Sequence, residues 1–166
     1  MSIFVRMARA PRWYREQAQS LLEQDDIPSD PIADLNTTEN SLSIFLVNED
    51  RSNLEQTVAA QAGTRMKADD AGYIVFSSDL LSRVGIAIDD SHPGTTADED
   101  VNSRHRDLIQ LSGKKLIAFV REVMLSSEPP ETLPKEDVIG ILKEGVSAGR
   151  IDPGRLPDKV RKQLSL

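Results

Sequence analysis

Cysteine is absent from the 166 residues. That excludes disulfides, thiol nucleophiles, iron–sulfur clusters and thiolate zinc sites, while leaving the redox compartment open. No apolar run approaches the ~20 residues that a membrane helix needs. In the opening MSIFVRM the apolar stretch precedes the positive charge, the reverse of a secretory signal. A cytoplasmic setting is therefore the default, and no membrane partner is expected. Internal repeats and low-complexity tracts are also missing. There is no G-x-G-x-x-G. Gly113-Lys114-Lys115 is not a phosphate loop, because the position five residues before Gly113 is Leu108 and not glycine. No cofactor is expected.

What remains fits one ordinary domain, since ~100–200 residues usually make one. A chain of this size buries enough surface to fold without a metal or a crosslink. The net charge of −7 hides an asymmetry. Residues 1–15 hold Arg6, Arg9, Arg12 and Arg15 and no acid, giving +4, and the rest carries −11. A body of −11 repels phosphate backbones, which argues against broad nucleic-acid binding. Only this Arg-rich arm, with Trp13 and Tyr14 beside it, is suited to contact phosphate or an anionic surface, and residues 1–12 otherwise read as a flexible basic leader.

Periodicity divides the remainder into an α/β core over 13–128 and a helical C-terminal appendage over 129–166. A helix is expected from Trp13 to Gln24, ended by Pro28, which holds Ile27 extended. Leu42–Val47 is the clearest strand, apolar enough for burial on both faces. Ser52-x-x-Glu55 has the spacing of a capping box ahead of a helix that ends near Gly63. Tyr73–Phe76 and Val84–Ile88 read as further strands, with a helical turn at 78–83 between them. From Val101 a helical stripe runs for about 25 residues through His105, Leu108 and Leu116. Pro129-Pro130 marks a hinge before another helix opened by Pro134. The expected fold is α/β or α+β: a small, three-stranded sheet covered by helices, with a helical extension.

Several patterns could carry chemistry. Gly145-Val146-Ser147-Ala148-Gly149 matches the nucleophile elbow. Its Ser lies in a helical rather than a strand context, and both histidines precede it, so a helix end is the better reading. Asp89, Asp90, His92, Asp98 and Asp100, with Glu99 and His105, form the densest polar cluster and the weak candidate metal ligands. As a calcium loop, Asp89, Ser91 and Asp100 take positions one, three and twelve and Gly94 takes six, yet Pro93 replaces the fifth ligand. A solvated acidic loop explains the run as well. His105 on an apolar stripe reads as a half-buried, hydrogen-bonded histidine.

Two functions from different classes follow. In one, the chain is a non-enzymatic acidic interaction or regulatory accessory protein. It docks a partner with a basic surface through loop 89–100 or the C-terminal helices, with its oligomeric state left open. In the other, it is a metal-dependent hydrolase or phosphate-chemistry enzyme. The polar turns after the strands then converge at one sheet edge, with Asp50, Asp79, Asp89, Asp90 and His92 as catalytic candidates. Turns after strands are polar in any case, which favours the first.

Overall fold

A computed structural model describes residues 1–166, apart from the side chain of Gln17. Its centre is a six-stranded sheet: β1 (Ile3–Met7), β2 (Leu42–Val47), β3 (Ala71–Ser77), β4 (Ala87–Asp89), β5 (His105–Ile109) and β6 (Glu131–Leu133). The order is β4-β5-β2-β1-β3-β6, and every neighbouring pair is antiparallel. The expected three-stranded sheet is thus too small by half, although a mixed α-and-β domain is correct.

The largest correction concerns the start of the chain. Ile3–Met7, expected within a flexible basic leader, is the strand between β2 and β3, and Phe4 and Val5 are buried. The physical reason is alternation. Phe4 joins the core on one face of the sheet, while Ile3, Val5 and Met7 join the core on the other. A count of arginines misses this, because a strand at the sheet's centre needs only five residues.

Eight helices cover both faces: α1 (Arg15–Glu23), α2 (Ser29–Asp34), α3 (Leu54–Ala62), α4 (Ser78–Arg83), α5 (Glu99–Asn102), α6 (Gly113–Ser126), α7 (Lys135–Ser147) and α8 (Asp158–Gln163). One core holds Val5, Phe45 and Tyr73 from the sheet with Val58 of α3, Leu142 of α7 and Val160 of α8. The opposite core holds Phe4, Ile44 and Phe76 with Leu22 of α1, Leu80 of α4 and Phe119 of α6. Phe119 meets Phe76 edge-on at 5.1 Å, a favoured aromatic geometry. β2 is buried on both faces, as its apolar run implies.

Residues 129–166 are not a separate appendage. Glu131–Leu133 pairs with β3 as an edge strand where a hinge is expected, and α7 packs on α3. The long helix expected from Val101 is three elements, α5, β5 and α6. The S-x-x-E box is not used either. Asn53 precedes α3 and accepts the Asn48 N–H at 2.7 Å, while Ser52 accepts from the Asn48 side-chain amide. Ser147 closes α7 and Gly149 follows with φ +73°, the left-handed helix end expected in place of a nucleophile elbow. Among the described residues, no helix is long and apolar enough to cross a membrane.

Candidate functional site

The acidic turns proposed to converge do not meet. β2 and β3 run the same way with β1 between them, so Asp50 and Asp79 lie at one end of the sheet, two strands apart or about 10 Å. Asp89 ends β4, four strand spacings from β3, and is level through Asp107 with Ser43, not with Val47. Asp50 accepts the Ser52 N–H at 3.0 Å and Asp79 opens α4. Both are ordinary turn and helix-start roles. The Ser52 N–H holds the Asp50 carboxyl below the usual range.

The five weak metal candidates also separate. Asp89 accepts from the Ser91 N–H and hydroxyl, which lower its pKa, and lies 3.7 Å from Nδ1 of His92. Asp90 follows Asp89 in the same loop and Asp100 sits in α5. Asp98 is fully buried. It caps α5 through the N–H groups of Asp100 and Val101 and accepts from Gln56 Nε2 at 3.0 Å and Arg150 Nη1 at 3.1 Å. Four donors leave this carboxylate no free lone pair aimed outward. Among the described residues, no three His, Asp or Glu side chains are placed to hold a metal ion.

Polar groups instead gather at the other end of the sheet, where β1 finishes and β2 begins. A cleft there has two lobes that share Met7 and Arg65. The first, about 700 Å³, is lined by Arg6, Arg9, Arg65, Asp34, Asp70 and Gly72 among others. The second, about 430 Å³, lies between the end of α3 and the sheet and includes Ser43, His105, Asp107 and the loop Pro93–Thr96.

Local sequence explains the walls. After β1 the chain crosses β3 closely, with the Ala8 N–H donating to the Gly72 carbonyl at 2.8 Å. A Cβ on Gly72 would collide with the Ala8 carbonyl oxygen and stand 2.9 Å from the Ala10 nitrogen, so only glycine permits the crossing. Asp34, on α2, accepts from the Arg9 N–H at 2.7 Å and from the Trp13 indole at 2.9 Å, fixing the turn that follows. Asp70 accepts the Lys135 N–H at 2.9 Å and so serves α7, whose N-cap Pro134 offers no side chain. The wall of the second lobe rests on buried Thr96, Asp98 and Asn102. Asn102 accepts from Thr96 N at 2.7 Å and donates to the Thr96 carbonyl at 3.0 Å.

Arg6 is the unusual group. Its Nη1 donates to the Ser43 carbonyl at 2.7 Å, while its Nε is buried with no hydrogen-bond partner. Among the described residues neither Arg6 nor Arg65 has a carboxylate within ion-pair distance. Burial pushes the Arg6 pKa down to about 10, against the opposing charge of Asp34.

In the second lobe, Nδ1 of His105 faces the His92 carbonyl at 2.9 Å. A carbonyl only accepts, so Nδ1 carries the proton. Nε2 lies 3.6 Å from Asp107, beyond hydrogen-bond distance, and the Ser43 hydroxyl donates to Asp107 at 3.4 Å. The serine hydroxyl is thus aimed at the carboxylate and not at the imidazole. His105 is buried as expected, but on β5 with its ring edge-on to Phe45.

Sequence reasoning missed Arg65, Ser43 and Asp107 as site residues, and it singled out Arg6 only as part of a basic arm suited to phosphate or an anionic surface. The spacing His105-x-Asp107 would have placed both on one face of a strand, had the stretch not been read as helix. Against protein-family models, curated proteins and solved structures, the chain has no significant match.

Proposed function

We propose that the protein is a non-enzymatic accessory or regulatory protein that docks a partner with a basic surface. Its setting in this proposal is the cytoplasm. One observation carries it. From Glu16 to Asp50 the chain holds nine acidic residues and no Lys or Arg. That stretch builds α1 and α2, which lie over α6, and Glu23, Asp25, Asp26 and Asp30 are exposed there. Asp25 alone of these four forms an ion pair, with Arg121. Arg15 at the start of α1 and Arg121 beside Asp25 offset this layer only in part. A fixed face of one sign steers an oppositely charged partner and raises its association rate.

The test is capture from cell extract by the immobilised chain at about 50 mM and about 500 mM salt, because exposed charge pairs weaken as screening rises. Basic proteins should be retained at low salt, released at high salt and lost to the triple variant E23K/D26K/D30K. Retention of neutral or acidic proteins, or retention untouched by that variant, would contradict the reading. The metal-dependent alternative needed its acidic turns in one place, and their separation leaves it without a shared geometry.

A further inference from the structure

We infer that the first lobe of the cleft is a binding site for the phosphate or carboxylate group of a small anionic molecule. This stands apart from the docking proposal and rests on different residues. Three arginines, Arg6, Arg9 and Arg65, line one cavity. Two of them have no carboxylate partner, and the third is held only loosely, with its Nε 3.9 Å from Asp34 and its side chain 71% exposed. The two acids in the wall are already engaged. Asp34 accepts two N–H groups and Asp70 accepts one. They set the shape of the turn and the start of α7, and their lone pairs are partly spent on those donors.

Arg6 makes the argument specific. A mostly buried cation with an orphaned N–H is costly unless something completes it. Its planar fork still has donors to give, and forks of this kind match phosphate and carboxylate oxygens two at a time. Burial lowers the Arg6 pKa, and the charge of Asp34 opposes that only in part. Arg65 lines both lobes and the Arg9 side chain is largely exposed, so both add positive charge beside the lobe that Arg6 lines. About 700 Å³ leaves room for the body of a molecule beyond its anionic group. A polyanion is disfavoured by the −11 carried outside residues 1–15.

Trp13 provides the readout, being the only tryptophan and hydrogen-bonded to Asp34 in the wall of the lobe. Its emission should be followed during titration with inorganic phosphate and, separately, with citrate, each against sodium chloride at matched ionic strength. The expected result is a saturable change with at least one of them and none with chloride. Saturation by phosphate alone assigns a phosphate ligand, and saturation by citrate alone a carboxylate. R65Q and R9Q alter exposed side chains, and their unliganded melting temperatures verify folding. Each should weaken binding at least about tenfold, as loss of one charge-assisted contact implies. No saturable change up to about 20 mM, an equal response to chloride, or unchanged affinity in both variants would overturn the proposal.

Discussion

The two ends of the sheet hold similar kinds of residue and use them differently. Where β2 and β3 finish, Glu49, Asp50 and Asp79 lie in solvent-facing turns and are served by nearby hydroxyls, backbone N–H groups and the Met1 amine. Where β1 finishes, arginines and acids line a cavity whose walls depend on a glycine crossing and a buried polar network. Composition does not separate these ends. Position in the sheet does, because a turn after an outer connection stays wet whereas chain crossing the central strands makes walls.

The comparison can be broken most forcefully at Asp98, which underlies the wall of the second lobe. D98A removes an α5 cap and leaves Arg150 and Gln56 facing an apolar void. Loss of a partner from a buried pair should cost about 3 kcal/mol, lowering the denaturation midpoint in urea. A loss below about 0.5 kcal/mol, the range for surface sites, would show that the wall does not depend on it. G72A should follow with about 2 kcal/mol, since a clash between backbone atoms cannot be relieved by a rotamer change. Chemical denaturation would measure it, and an unchanged midpoint would mean that the Ala8–Gly72 crossing is looser than drawn.

R6M sharpens the contrast in another direction. Exchanging a poorly satisfied buried cation for an apolar chain of similar length should leave stability unchanged or raise it by up to about 1 kcal/mol. A clear loss would mean that Arg6 is a structural pin and not a group kept for a ligand. The smallest effects belong to the open end, where D50N and D79N should each leave the urea midpoint unchanged. Acid acts at both ends. Asp50 and Asp89 titrate lower folded than unfolded, so the unfolded chain takes up protons first as the pH falls. Stability should hold from neutral pH to about 5 and decline below about 4, with D50N flattening that decline.

Some of this was legible in the sequence. Leu42–Val47 announced itself as a doubly buried strand by its unbroken apolar run, and Gly149 announced a helix end. β1 and β5 did not, for one reason. Each is five residues long and carries charges, Arg6 in one and Arg106 and Asp107 in the other, and tertiary pairing rather than propensity makes them strands. Reading β5 as helix placed His105 on a stripe and hid Asp107 beside it. Most of the carboxylates singled out for chemistry are exposed, and the buried one, Asp98, is spent on capping α5 and on Gln56 and Arg150. Arg6, by contrast, shows in the sequence only as one arginine of a basic arm, and its burial, its Ser43 contact and its unpaired Nε belong to the fold.

The anion-site proposal places its ligand at the cleft end of the sheet and not at the acidic turns after β2 and β3. Backbone amide NMR during a phosphate titration tests it most directly. The account predicts saturable shifts at Arg6, Ala8, Arg9, Arg65 and Gly72 with Glu49, Asp50 and Asp79 unmoved. Shifts centred on the turns after β2 and β3, or no saturable shift at the cleft, would contradict it.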